Sequence, residues 1–209
     1  MKKKLNILQT NLSNLQSIEH AVSALGHKSK KISKIDQITS NSILIIPGVG
    51  NFKQAIKNIG SPNSSIDKIL NDKSIKIFGI CLGMQLLFSE SEEGGSKGLD
   101  LIPGTIDNLN RFGVKKIPNI GWKKVNFREK ELERFNDEYF YFVHSYAANP
   151  KNEENIVGVI NLENRVITSM VSNESNQIGN YIGCQFHPEK SGEIGLKFLD
   201  KIISILDSK

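Results

Sequence analysis

The chain has 209 residues, 38% of them apolar, enough to bury a substantial core in what reads as one domain over residues 1–209. Its 27 Lys and Arg against 22 Asp and Glu give a formal charge of +5, spread along the chain apart from the MKKK start and Lys28 to Lys34; with no recognition motif beside it, this charge speaks for a solvated surface and against nucleic acid as a partner. Two cysteines, Cys81 and Cys184, are too few for a secreted disulfide framework, and no apolar run suits a signal peptide or a membrane span, so a soluble cytoplasmic protein is expected.

In chain order, LNIL near the start and SILIIPG at Ser42 to Gly48 read as buried strands. Between them Ser13 and Gln16 suggest a capping box, Leu15, Ile18, Val22 and Leu25 share a helical face, and Gly26 can end the helix. KSIKIFGI is the next buried strand and CLGMQLLFSE the helix after it. From about Gly98 the texture turns strand-rich: KIPNIGWKKVNF, EYFYFVHSYAAN, IVGVIN, RVITSMV and NYIGCQF. GEIGLKFLDKIISIL closes the chain as a helix, with Ile194, Phe198, Leu199, Ile202 and Leu206 at helical spacing. The alternation predicts an α/β fold: a central, mostly parallel sheet flanked by helices, with extra antiparallel strands in the second half.

Within this pattern, Gly79-Ile80-Cys81-Leu82-Gly83 sits where a strand turns directly into a helix. This is the cysteine form of the nucleophile elbow, G-x-S-x-G, in which side chains two residues either side of the nucleophile would crowd the turn. The thiol is then presented at the carboxyl edge of the sheet, a helix N-terminus favours the thiolate, and the Leu82 amide points at a developing oxyanion. Cys184, inside YIGCQF, reads as core packing. A nucleophilic cysteine needs a base, and the histidines are His20, His27, His144 and His187. His20 and His27 belong to the first helix and its end, and His144 reads as a satisfied sheet histidine. His187 opens HPEKS, where Pro188 stiffens the turn and Glu189 can orient the imidazole. Cys81, His187 and Glu189 thus form a candidate triad.

GICLGMQLL with a downstream QFHPEKS resembles the class I glutamine amidotransferases, whose fold is flavodoxin-like, and PGVGNF, IPNIGW and FVHSY extend the likeness over almost the whole chain. The resemblance implies an oxyanion strand at PGVG, whose Val49 peptide turns to offer an amide beside that of Leu82. It implies a substrate glutamine held near Gly50, Gln85, Glu93, Ser145 and Tyr146, with no cofactor or metal. Among the family the motifs are most similar to glutaminase subunits that form a heterodimer with a (β/α)-barrel cyclase of histidine biosynthesis and pass it ammonia. Two segments depart from that pattern: QTNLSNLQS replaces both glycines of a Y-G-x-G-N-L turn, and Asn119 stands where a histidine is usual. Both belong to the resembled docking side, so a paralogous subunit supplying ammonia for surface-sugar amidation is the first alternative. Another triad hydrolase, such as a cysteine peptidase or sugar-lactone hydrolase, is the enzymatic rival, and an interaction module without turnover the non-enzymatic one.

Overall fold

The computed structural model describes residues 2–9, 15–48, 50–59, 69, 71–175 and 177–209. The apolar runs of the first half become neighbouring parallel strands. β1 (Lys4–Leu8) is followed by helix α1 (Leu15–Ala24), the short strand β2 (Ser29–Ile32), β3 (Ser42–Gly48), helix α2 (Phe52–Ile59) and β4 (Ile75–Cys81). Every residue of β3 and β4 is buried, which is why both read as unbroken apolar runs instead of alternating ones. Ser13 of the expected capping box lies outside the described residues. The other end of α1 is as expected: Gly26 takes φ 77°, its N–H reaches Ser23 O at 2.9 Å and His27 N–H reaches Val22 O at 3.1 Å, a Schellman stop.

The second half opens with a one-turn helix, α3 (Leu82–Gln85). It continues through β5 (Phe88–Ser91), β6 (Ser96–Lys97), β7 (Ile102–Asn108), β8 (Asn119–Lys124), β9 (Asn126–Phe127), β10 (Tyr139–His144), β11 (Tyr146–Pro150), β12 (Ile156–Leu162), β13 (Arg165–Ser172) and β14 (Tyr181–Cys184), and ends in helix α4 (Gly192–Ser208). The central sheet runs β2-β1-β3-β4-β14-β13-β12-β9, parallel from β2 to β14 and antiparallel beyond. This is the predicted α/β plan, and its first five strands have the flavodoxin-like order. A four-stranded sheet, β11-β7-β5-β6, and the two-stranded ribbon β10-β8 complete the fold.

Two expectations are corrected. The helix predicted over CLGMQLLFSE stops at Gln85, because Phe88 pairs with Ile102 and the amides of Leu99 and Leu101 bond back to Leu86 and Leu87; FSES becomes a strand. EYFYFVHSYAAN is two strands, broken at Ser145, whose carbonyl takes the Leu109 amide while β10 and β11 go to different sheets.

Both faces of the central sheet are covered. Ile43, Ile45, Phe78 and Ile80 pack with Ile18 and Val22 of α1 and Phe198, Leu199 and Ile202 of α4, whereas Leu44, Ile46 and Ile77 pack with Phe52, Ala55 and Ile59 of α2. Each strand thus feeds alternate side chains to the two layers. An aromatic knot of Phe127, Phe140, Phe142, Phe186 and Phe198 fills the first layer beneath the carboxyl ends of β4 and β14.

Candidate active site

Cys81 ends β4 with φ 55° and ψ −110°, and α3 begins at the next residue. A non-glycine residue in this region costs about 1–3 kcal/mol and persists only where its surroundings enforce it. Here the surroundings are backbone. A β-carbon on Gly79 would lie 2.5 Å from Gly83 O, and one on Gly48 would lie 2.7 Å from the Leu82 β-carbon. Gly79 therefore does what the elbow pattern requires of it, and Gly48 on the neighbouring strand leaves the turn the room it needs. Because α3 is a single turn, the longer helix dipole expected behind the sulfur is reduced to the amides of that turn.

The parallel register Cys184↔Ile80 brings the end of β14 level with the end of β4. Beyond Cys184 the strand gives way to a bend at Gln185 and Phe186. Phe186 turns into the aromatic knot, while Gln185 and His187 turn to the Cys81 side. The His187 backbone is held at both groups: its N–H reaches Tyr141 O at 2.9 Å, and its carbonyl accepts from Ser191 Oγ at 2.6 Å. Pro188 starts a short turn that returns Glu189, whose Oε1 lies 2.8 Å from His187 Nδ1 with both side chains buried. Nδ1 thus carries its hydrogen to the carboxylate. Burial alone would lower the His187 pKa, but the Cys81 sulfur and Glu189 carboxylate outweigh it and raise it to about 10. Nε2 has no hydrogen-bond partner among the described residues, and the Cys81 sulfur is the neighbour that most raises its proton affinity.

A cleft of about 380 Å³ opens beside the sulfur, lined by Gly50, Leu82, Gln85, Glu93, Ser145 and Tyr146 together with Cys81. These include every residue expected around glutamine. Gly50 has φ 107°, a conformation that suits glycine in the loop after β3. Val49 lies outside the described residues, as does the departing segment Asn11 to Asn14. Glu93 also has a structural duty, accepting the Phe52 N–H at 2.8 Å and so capping α2.

The remaining histidines and Cys184 follow their expected roles. His27 Nε2 meets Asp200 at 3.1 Å, His20 is solvent-exposed, and Cys184 is fully buried, with burial pushing its thiol pKa well up. His144 is a satisfied sheet histidine: Nδ1 donates to Tyr146 O at 2.8 Å, and Nε2 lies 2.9 Å from Asn119 Nδ2. Burial drops its pKa to about 4, which keeps the ring neutral, so Nε2 accepts from the amide. Asn119 is therefore turned inward rather than presented on a docking face; its neighbours Ile120 and Trp122 are the exposed ones.

The sequence model of the family described as Glutamine amidotransferase class-I matches residues 6–203. The chain belongs to the class I glutamine amidotransferases. Among its relatives, the imidazole glycerol phosphate synthase subunit HisH of Methanocaldococcus jannaschii is 39% identical over 207 residues, covering 97% of this chain and 100% of that protein. The protein of the same name from Prochlorococcus marinus strain SARG is 38% identical over 198 residues, 91% of this chain and 89% of its own length. The fold matches the crystal structure of a glutamine amidotransferase, with a TM-score of 0.70 at 17% identity over 96% of this chain and 98% of the other. It also matches the structure of PurLQS from Thermotoga maritima, with a TM-score of 0.70 at 20% identity over 99% and 100%.

Sequence reasoning missed two features of this class I glutamine amidotransferase. Gln185 contacts the Cys81 sulfur at 3.5 Å; its signal was a lone polar residue in the apolar run YIGCQF. The exposed outer face of the β8–β10 ribbon, carrying Ile120, Trp122 and Tyr139, is the other. Its signal was the alternation of tyrosine and phenylalanine in EYFYFVH, which sets a more polar face against an apolar one.

Proposed function

We propose that the chain is the glutaminase subunit of an imidazole glycerol phosphate synthase, one cytoplasmic domain over 1–209 that hydrolyses glutamine and hands the ammonia to a (β/α)-barrel cyclase. The observation that carries this reading is a strained Cys81 at the mouth of the cleft beside a buried His187–Glu189 pair at 2.8 Å. The Cys81 thiolate attacks the side-chain carboxamide carbon of glutamine, and its oxygen gains negative charge facing the amide of Leu82. His187 is protonated at rest, which its raised pKa of about 10 favours, and gives the Nε2 proton to the departing nitrogen. Ammonia leaves and a γ-glutamyl thioester remains. Water then gives a proton to Nε2 and attacks the thioester, releasing glutamate and restoring thiolate and imidazolium, with Glu189 holding the ring throughout.

The outer face of the ribbon supports the choice of partner. Tyr141 stands opposite Trp122 and Val143 opposite Ile120, so one face of β8–β10 is apolar and starts at the cleft, where Val143 O lies 3.9 Å from Cys81 Sγ. Ammonia in water is mostly protonated and unreactive, so a partner docked here would receive it directly. Complementation of a histidine auxotroph lacking its own glutaminase subunit, using this chain with its barrel partner, tests the pathway. Growth without histidine is expected. Cys81→Ala should abolish glutamine hydrolysis while the complex still makes imidazole glycerol phosphate from added ammonium; glutaminase above a tenth of wild type would sink the nucleophile assignment.

A further inference from the structure

We propose that Gln185 is a further catalytic residue, a hydrogen-bond donor to the Cys81 thiolate whose orientation is dictated by the backbone carbonyl of Tyr146. The proposal rests on the reading of Cys81 as nucleophile. The order of donors along the chain of contacts leaves one self-consistent arrangement. A carbonyl oxygen can only accept, and Tyr146 O takes Nδ1–H of His144 at 2.8 Å and Nε2–H of Gln85 at 3.4 Å. That contact fixes which way the Gln85 amide faces, since its oxygen there would oppose another oxygen. The second hydrogen of Gln85 Nε2 goes to Gln185 Oε1 at 3.0 Å. With its oxygen committed, Gln185 can present only its NH2 to the sulfur, and Nε2 lies 3.5 Å from Cys81 Sγ.

The arrangement is anchored at its far end as well. His144 accepts from Asn119 at 2.9 Å, so its Nδ1 is the protonated nitrogen of a neutral ring. Asn119 and His144 are register partners across β8 and β10, so the anchor belongs to the strand pairing itself. Gln185 is fully buried and Gln85 is 5% exposed, which leaves neither amide free to exchange its partners for solvent. A polar side chain at such a position is costly unless its bonds are made. A neutral thiol is a weak acceptor and gains little from an amide donor, whereas a thiolate gains much, so the donor favours the charged form. It acts twice in the cycle: it raises the fraction of sulfur ready to attack, and it steadies the sulfur again as thiolate when water expels it from the thioester.

The test is the pH dependence of Cys81 alkylation by iodoacetamide, measured on the full chain by peptide mass mapping so that label on Cys184 is counted apart. In Gln185→Met, which keeps the volume and removes the donor, alkylation of Cys81 at neutral pH should slow by about tenfold. Glutaminase kcat should fall about tenfold or more while KM for glutamine moves less than about threefold. An alkylation profile superposing on wild type, in a variant whose circular dichroism and unfolding show it folded, overturns the proposal. A second measurement needs no core substitution. In 15N-labelled wild-type protein the Gln185 side-chain amide signals should move with the Cys81 titration and stay still over the same range in Cys81→Ser; signals that ignore the titration overturn the proposal equally. Both readouts are independent of glutamine turnover, so loss of the amide–sulfur bond and failure of the glutaminase reading, tested by Cys81→Ala, give different results.

Discussion

A β-carbon on Gly83 would lie 1.7 Å from the carbonyl oxygen of Ile46, so the turn after Cys81 is seated directly against the backbone of β3. The sulfur's position is therefore set by backbone contacts, not by side chains that could repack. Gly83→Ala forces β3 and the elbow apart, and the loss of stability should be about 3 kcal/mol or more, at the upper end of overpacking effects. Urea unfolding measures it, and glutaminase should fall below about a hundredth of wild type as the Cys81 dihedrals relax. An active variant of unchanged stability would show that β3 can move aside at little cost.

The same contacts explain what the sequence made legible. β1, β3 and β4 stood out because strands covered on both faces are continuously apolar, and the elbow stood out because two glycines flanked one cysteine at their end. α4 was legible from its period, and Phe198, Leu199, Ile202 and Leu206 are all buried. The features missed depend on distant partners. Leu86, Leu87 and Phe88 suit a helix as well as a strand, and only pairing of Phe88 with Ile102 decides between them. β2 is an edge strand with three of its four residues exposed, so it lacks an apolar signal. The inward turn of Asn119 becomes visible only once His144 stands opposite it.

Two buried histidines shift in opposite directions, and together they define a pH window. His187 keeps its proton up to about 10, against 6.5 for an ordinary histidine. Its stabilisation is fully present below pH 6.5 and is lost as pH rises towards 10. His144 resists protonation down to about 4, so its stabilisation is present above pH 6.5 and is lost as pH falls towards 4. The contribution of the pair to unfolding free energy should peak near neutral pH and decline on both sides. Urea titrations across this range measure the slopes, and His144→Gln should flatten the acid limb alone. Ring-proton NMR checks the assignment: at about pH 8 His187 should remain protonated, and a midpoint near 6.5 would mean that neither Cys81 nor Glu189 acts on it.

Glu93 joins the cleft to the fold, since the carboxylate lining the cleft also caps α2 through the Phe52 N–H at 2.8 Å. The two duties separate by substitution. Glu93→Gln keeps an oxygen for the Phe52 amide but removes the charge that would meet the glutamine ammonium, so KM should rise about tenfold or more with stability within about 0.5 kcal/mol of wild type. Glu93→Ala loses the cap as well and should cost about 1 kcal/mol more in urea unfolding. Equal KM values for wild type and Glu93→Gln would place the ammonium elsewhere in the cleft.

The outer face of the β8–β10 ribbon exposes Ile120 at 57%, Trp122 at 50% and Tyr139 at 51%, while the inner face buries Phe140, Phe142 and His144. Trp122 and Tyr141 meet edge to face at 5.9 Å, and Lys124 lies over Tyr139 at 5.6 Å, so two packed pairs lie side by side on this face. Clustered apolar exposure marks an interface, and aromatic anchors near its centre carry most of the binding energy. Because these side chains are exposed in the free subunit, Trp122→Ala and Ile120→Asp should change its unfolding free energy by no more than about 0.5 kcal/mol. Their Kd for the barrel should nevertheless rise about tenfold or more, and glutaminase stimulation should require correspondingly more barrel. Val166 provides the control, since it is 62% exposed on β13, outside the ribbon. Val166→Asp should bind the barrel as wild type does. The reverse pattern, with the ribbon variants unaffected and Val166→Asp impaired, would move the docking face to β13 in the antiparallel part of the central sheet.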